Sequence, residues 1–289
     1  MTPPTATTAA LPVCRGTHVT SGQAEGTVMR PDEPRVSIVV PVRNEARNLE
    51  VVLPQLPDVH QIIVVDGHSV DDTIEVARRY RPDAEILTQT RQGKGNALAC
   101  GFARVTGDAI VMFDGDDSAD PAEISSFVKA LVAGCDFAKG SRFTAEGGSE
   151  DITPLRRLGN AGLNFITNKL MRTQFTDLCY GYNAFWTDML GVLNLPPVDL
   201  PPEAGRQWGD GFEIEALINC RIAAAGGRIT EVSSFERDRL HGGSNLATFP
   251  DGMRVLRVIL AEYARARRAR RNPPPDSAGE RDLNGAVLP

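Results

Sequence analysis

Phe113-Asp114-Gly115-Asp116-Asp117 sets three carboxylates around one glycine, directly after an apolar run. Carboxylates this close repel one another in a poorly solvated cleft. A hard divalent cation relieves the repulsion, and Mg²⁺ or Mn²⁺ held in this way also bridges substrate phosphates. Such an ion neutralises charge on a diphosphate leaving group. Asp114 and Asp116 are therefore the candidate metal ligands. The plain alternative is an acidic turn capping the helix at Pro121. A second run, Gly209-Asp210-Gly211-Phe212-Glu213-Ile214-Glu215, opens a helix expected to reach Ala225. Asp210, with Glu213 second, is the candidate general base for any step that must deprotonate a hydroxyl. The plain alternative is that both stabilise a positive helix N-terminus. In Gln92-Gly93-Lys94-Gly95-Asn96 a glycine turn leads into a helix, from which Lys94 and backbone N–H groups could reach a phosphate. Neither a phosphate-binding loop of the G-x-x-x-x-G-K-[ST] type nor a G-x-G-x-x-G fingerprint is present.

The elements that must position these groups alternate. Val36–Pro41, Gln61–Asp66, Glu85–Thr88 and Ala109–Phe113 are short runs rich in β-branched residues, expected as strands. Asn44–Leu56, Thr73–Tyr80, Gly95–Val105 and Pro121–Ala133 carry helical spacing, with Asp71 or Asp72 capping the second and proline in the first turn of the fourth. Four strand–helix repeats predict an α/β fold with a mostly parallel sheet flanked by helices. Ligands in such sheets bind at the carboxyl ends of the strands. Asn44-Glu45, Asp66, Asp114 and Asp116 all fall there.

The chain of 289 residues has a formal net charge of −6, which argues against a general nucleic-acid binder. Its five cysteines are scattered and include no C-x-x-C pair, so neither a disulfide framework nor a structural zinc site is expected, and a reducing cytoplasm fits. Residues 1–34 and 272–289 are rich in Pro, Thr, Gly and Ser without hydrophobic period, and are expected to be a disordered leader and tail. The leader lacks the pattern of a secretory signal, and no run is long enough to span a bilayer. One folded domain over 35–271 remains. Its last part, Met253–Arg271, combines seven arginines with an apolar stripe at Val255, Leu256, Ile259, Leu260 and Tyr263. That pattern fits a helix packed on the domain and leaves a peripheral contact with an anionic membrane face open.

Four of these segments together resemble glycosyltransferase family 2. Val39-Val40-Pro41-Val42-Arg43-Asn44-Glu45, Val64-Val65-Asp66-Gly67-His68-Ser69, Gly93-Lys94-Gly95-Asn96 and Phe113-Asp114-Gly115-Asp116 stand in that family's order. The second half resembles the branch containing dolichol-phosphate mannose synthases, through Lys139-Gly140-Ser141-Arg142-Phe143, Leu155-Arg156-Arg157-Leu158-Gly159-Asn160, Thr176–Phe185 and Arg239–Asn245. Cys179-Tyr180, Asn183 and His241 depart from that branch. The resemblance implies a single GT-A domain, Rossmann-like, and an inverting transfer from a UDP- or GDP-sugar. Residues 35–133 would form the nucleotide-sugar half, 134–250 the acceptor half and 251–271 the basic helix. By position, Pro41, Glu45, Asp66, Lys94, Asp114, Arg142 and Arg239 would hold the nucleotide sugar, and Asp114 and Asp116 the Mg²⁺ or Mn²⁺. Arg156, Asp177 and His241 would face the acceptor, a small molecule or a polyprenyl phosphate. Two other classes compete: a nucleotidyltransferase, whose glycine-rich basic signature near the first strand is absent, and a non-catalytic nucleotide-sugar binder.

Overall fold

The computed structural model describes residues 30–242 and 248–271. Nine strands and eight α-helices follow one another in these segments. They are β1 (Val36–Val42), α1 (Ala46–Val52), β2 (Gln61–Asp66), α2 (Thr73–Tyr80), β3 (Glu85–Thr88), α3 (Lys94–Phe102), β4 (Ala109–Met112) and α4 (Ile124–Val132). The second half adds β5 (Phe137–Ser141), β6 (Gly148–Ser149), α5 (Pro154–Met171), β7 (Asn183–Trp186), α6 (Leu190–Leu193), α7 (Ile214–Ala224), β8 (Ile229–Ser233), β9 (Phe235–Glu236) and α8 (Thr248–Arg271). The main sheet runs β3-β2-β1-β4-β7-β5-β8, and β6 pairs with β9 apart from it. Every neighbouring pair in the main sheet is parallel except those made by β7.

The first four strands and the helices between them stand where the hydrophobic pattern puts them. In β1, Ile38, Val39 and Val40 are all fully buried, so both faces of the sheet are covered, as a continuous apolar run implies. α3 lies against β1 and β2, and Gly101 makes that approach possible: a Cβ there would run into Val39 and stand 3.2 Å from Val65. Two helices start or end in a tighter turn than their periodicity suggested. Leu53–Gln55 and Pro121–Glu123 are 3₁₀ turns, each with proline in its first positions. Asp71, rather than Asp72, braces the start of α2, accepting from the Thr73 N–H at 3.2 Å.

The carboxyl ends of β1, β2 and β4 each continue into a residue with positive φ: Asn44 (57°), His68 (61°) and Asp117 (63°). These residue types adopt the left-handed conformation more readily than others, and it still costs energy that the surroundings must supply. The Asn44 turn is locked to the His68 turn. Its N–H donates to Ser69 Oγ at 2.9 Å, and its side-chain oxygen accepts from the Val70 N–H at 2.9 Å. Both strand-end loops are thereby held open over one cleft.

Near the start of the described chain, Arg30 pairs with Asp136 and, at 3.0 Å, with Asp188, and its guanidinium stacks 5.1 Å from the Trp186 ring. The fold thus begins a few residues before the boundary at 35 read from sequence. The remainder of the expected leader and the expected tail lie outside the described residues. In α8, Val255, Val258 and Ile259 are buried in the core, so much of the apolar stripe read from sequence is packing surface. Glu262 ties that helix down through Arg221 at 2.9 Å and Trp208 Nε1 at 3.2 Å.

Gly101→Val would force the clash with Val39. Overpacking of this kind costs about 1–3 kcal/mol, and a urea unfolding curve should show the lower midpoint with an unchanged slope.

Candidate active site

One cleft of about 470 Å³ opens at the carboxyl ends of β1, β2 and β4. Pro41 and Glu45 from the end of β1, Gly67 after β2, and Lys94 from α3 form one side. Asp114 and Asp116 stand after β4. Arg142 after β5, Arg156 on α5, Glu215 on α7 and Arg239 after β9 close the other side.

Within it stands a three-way contact. Lys94 Nζ lies 2.7 Å from Asp114 and 2.7 Å from Glu215. Burial opposes the ammonium charge, but the two carboxylates overcome it and raise the pKa of Lys94 above its ordinary value. Glu215 is pushed up by burial and by Asp114, with Lys94 working against both. A side chain at Gly181 would displace this contact, because a Cβ would stand 2.7 Å from Lys94 Nζ and 2.9 Å from Asp114 Oδ2. Asp116 is held in a parallel way: Arg239 pairs with it at 2.7 Å, and Ser118 Oγ donates to it at 2.7 Å. Glu45 faces the same charges. Burial, with Asp116 and Asp114 adding to it, lifts its carboxyl to about 7 against the pull of Asn48 and Arg239.

A layer behind the wall aims these groups. Arg142 forms a two-point pair with buried Asp177 at 2.7 and 3.0 Å and reaches Glu236 at 2.9 Å. Burial works against its charge and these carboxylates more than offset it, so its pKa is raised. Asp177 also accepts from Asn160 Nδ2 at 3.0 Å, which fixes the orientation of that amide, since a carboxylate can only accept. Lys139, fully buried, donates to the carbonyls of Gly140 and Tyr180, both at 2.8 Å, and burial lowers its pKa to about 8. It ties β5 to the segment carrying Gly181.

Several residues singled out from sequence are not on the wall. Asp210 is buried in a two-point pair with Arg91, at 2.9 and 3.0 Å, and accepts from the Gln207 N–H at 2.7 Å. Its backbone carbonyl takes the N–H groups of Gly95 and Asn96 at 2.9 and 3.2 Å. Those N–H groups, expected to point at a phosphate, instead fasten the glycine turn to the 209–211 loop. A Cβ on Gly93 or Gly95 would run into that loop's backbone. Glu213 is buried between the Gly211 N–H (3.3 Å) and Arg206 (3.4 Å). Asp66 is buried and accepts from the Ser69 N–H at 3.1 Å, bracing the turn while its neighbour Gly67 faces the cleft. Asp177 stands behind Arg142. His241 offers its carbonyl to Asn48 Nδ2 at 3.0 Å and is not among the lining residues. Gly243-Ser244-Asn245 of that motif fall outside the described residues. Sequence reading passed over four carboxylates of the wall: Asp151, Glu236, Asp251 and Glu215, of which Glu215 lies two positions beyond Glu213. The first turn of α7 brings Phe212, Glu215 and Ala216 to the wall, a helical spacing visible in the run itself.

Asp114 and Asp116 suit a hard cation by chemistry and position. Among the described residues no cluster of three or more His, Cys, Asp or Glu side chains could hold an ion without help. Two carboxylates fit an ion that completes its shell with phosphate oxygens and water, as Mg²⁺ and Mn²⁺ do.

Residues 37–192 match the model of glycosyl transferase family 2. The chain belongs to that family. An uncharacterized glycosyltransferase of Mycobacterium bovis is 33% identical over 212 residues, 73% of this chain and 89% of that one. The polyprenol monophosphomannose synthase of Mycolicibacterium smegmatis is 32% identical over 192 residues, 62% of this chain and 71% of that one. Among solved structures, glucosyl-3-phosphoglycerate synthase of Mycobacterium tuberculosis, in complex with Mn²⁺, UDP-glucose and phosphoglyceric acid, aligns with a TM-score of 0.61 at 20% identity over 80% of each chain. The fold is GT-A, and the protein is a nucleotide-sugar-dependent glycosyltransferase rather than a nucleotidyltransferase or a bare binder.

Two measurements probe the cleft and the ion pairs behind it. Asp210→Ala leaves Arg91 buried without its partner, and the expected loss is about 3–5 kcal/mol in urea unfolding. A residue acting as the base would instead lose turnover with stability intact. Glu45 titrates near 7 in the folded chain against 4.5 unfolded, so the folded state binds the proton more tightly. Its contribution to stability is greatest below pH 4.5, declines as pH rises towards 7 and levels off above. Glu45→Gln should flatten that part of the stability–pH curve.

Proposed function

We propose that this transferase moves a hexose, with inversion, from a UDP- or GDP-sugar to a phosphate-bearing acceptor, with Mg²⁺ or Mn²⁺ at Asp114 and Asp116. The observation that carries the reading is the charge arrangement of the cleft. Asp114 and Asp116 after β4 share the cleft with five cationic side chains, Arg43, Lys94, Arg142, Arg156 and Arg239, and with five further carboxylates, of which Glu215, Glu236 and Asp151 pair with Lys94, Arg142 and Arg156. Bound there, the ion would offset charge on the departing diphosphate. Pro41, Glu45 and the turn braced by Asp66 would frame the nucleotide. Lys94, pinned between Asp114 and Glu215, is placed to meet the phosphates or the sugar. Arg239 keeps Asp116 turned into the cleft and adds positive charge beside it.

The acceptor side is assigned to Arg142, which the resemblance had placed with the nucleotide sugar, together with Arg156; both line the cleft. Asp177 and Glu236 hold the first rigidly, whereas the second has one 3.4 Å contact with Asp151. A phosphate oxygen is already an anion and attacks without a general base. The seats of Asp210 and Glu213 agree with that: both serve to hold the 207–213 loop against the glycine turn. Glu215, the carboxylate of that run on the wall, is neutralised by Lys94. The names of the relatives run the same way, since a polyprenol phosphate and phosphoglyceric acid both carry a phosphate. A small-molecule phosphate and a polyprenyl phosphate share this chemistry.

A panel of UDP- and GDP-sugars, read by nucleotide release with Mg²⁺ or Mn²⁺, tests the proposal. One donor should be turned over, faster with a phosphate monoester than with a plain alcohol. Asp116→Ala should lower the rate at least about 100-fold, the size expected when several kcal/mol of charge stabilisation go. Turnover that survives both a chelator and Asp116→Ala would remove the metal from the reading. A preference for alcohols would remove the phosphate.

A further inference from the structure

Two helices that border the cleft also turn apolar side chains to solvent. On α5, Leu155, Leu158 and Phe165 are 51%, 72% and 72% exposed. Their spacing of three and seven residues puts them on one stripe. Gly162 occupies the position between, with nothing within 4 Å of where a Cβ would be. The same spacing continues into exposed Lys169 and Arg172. On α8, Phe249, Met253 and Leu260 are 73%, 51% and 49% exposed, on positions other than the buried Val255, Val258 and Ile259. The two helices pack on each other, and the neighbouring positions Arg156, Gly159, Gly252 and Val255 line the cleft. Single exposed leucines are ordinary. Exposed apolar side chains repeated along two adjoining helices beside a binding cleft mark a contact surface.

Charge selects the partner. α5 and α8 together carry ten basic and two acidic side chains, in a chain whose net charge is −6. A second copy would bring these basic helices against one another, which like-charge repulsion disfavours. An anionic lipid surface complements them, with the apolar stripe entering the headgroup–acyl boundary and the arginines remaining among the headgroups. No helix among the described residues is long and apolar enough to cross a membrane, so the contact is with the surface. We propose that the α5–α8 face docks the transferase on an anionic bilayer, with the mouth of the cleft at headgroup level. An acceptor phosphate held in such a surface would then lie beside Arg156; this last consequence rests on the phosphate-acceptor reading, whereas the docking does not.

Sedimentation of the full chain with vesicles tests the docking without donor or acceptor, so its outcome is independent of any transfer assay. The chain should pellet with phosphatidylcholine vesicles containing phosphatidylglycerol, remain in solution with phosphatidylcholine alone, and be released by high salt. Leu158→Glu with Phe165→Glu, both at exposed positions, should weaken binding at least about tenfold, since each removes an apolar anchor and adds a repelled charge. Arg267→Ala and Arg268→Ala should each weaken it about fivefold. Thermal stabilisation by UDP or GDP, compared with the parent chain, shows that the variants remain folded. No pelleting with anionic vesicles, or pelleting that the glutamates leave unchanged, overturns the proposal. So does a parent dimer in sedimentation equilibrium that the glutamates dissociate, which would assign the face to a second copy.

Discussion

The ammonium group of Lys94 holds three parts of the chain to one point. It starts α3, and it touches Asp114 at the end of β4 and Glu215 in the first turn of α7. Burying a charge is tolerable only when partners of opposite sign surround it, so each of the three elements has to arrive where it does. The demand spreads outward. A side chain at Gly181 would push the contact apart. Gly93 and Gly95 can carry no side chain, because the turn presenting Lys94 rests on the backbone of residues 209–211. The arrangement ties the first half of the sheet to a helix more than a hundred residues later in sequence.

Behind that wall lies a second set of ion pairs whose task is aim. Arg91–Asp210 holds the 207–213 loop, and Arg142–Asp177 turns a guanidinium towards the cleft while Asn160 and Glu236 stop it from rotating. Paired charges of this kind add little net stability, but losing one partner is severe. Acidic residues near the site therefore fall into two groups. Glu45, Asp114, Asp116, Asp151, Glu215, Glu236 and Asp251 line the cleft, and Asp66, Asp177, Asp210 and Glu213 face the protein.

That division is what the sequence conceals. The alternation of β-branched runs with helical spacing was enough to place β1 to β4 and their helices, because burial on both faces leaves an unambiguous pattern. Asp114 and Asp116 do line the cleft, yet Asp66 at the end of β2 shows that a strand-end carboxylate can equally brace a turn. Asp210 and Glu213 looked equally chemical, between glycines at the start of a helix. Their partners, Arg91 and Arg206, are chosen by the fold, and Arg91 lies 119 positions away. Glu215 was overlooked in the same run, although the pitch of α7 separates it from Glu213 by half a turn. The strands of the second half were harder to see for a different reason. β5 (Phe-Ala-Lys-Gly-Ser) contains a lysine and a glycine, and it is a strand because β7 and β8 flank it.

The position of β7 has a bearing on how the molecule is made. It is the antiparallel strand between β4 and β5, so no hydrogen bond joins the two halves of the sheet until residues 183–186 exist. While the ribosome is still adding α5, the first half can form a four-stranded parallel sheet whose β4 edge is bare, and β5 has nothing to pair with. An unpaired edge is a template for aggregation, and closing it waits on contacts distant in sequence, which form slowly. The four residues Asn183–Trp186 act as the clasp of the fold, and a nascent chain halted before them would leave the apolar core of both halves open to other chains.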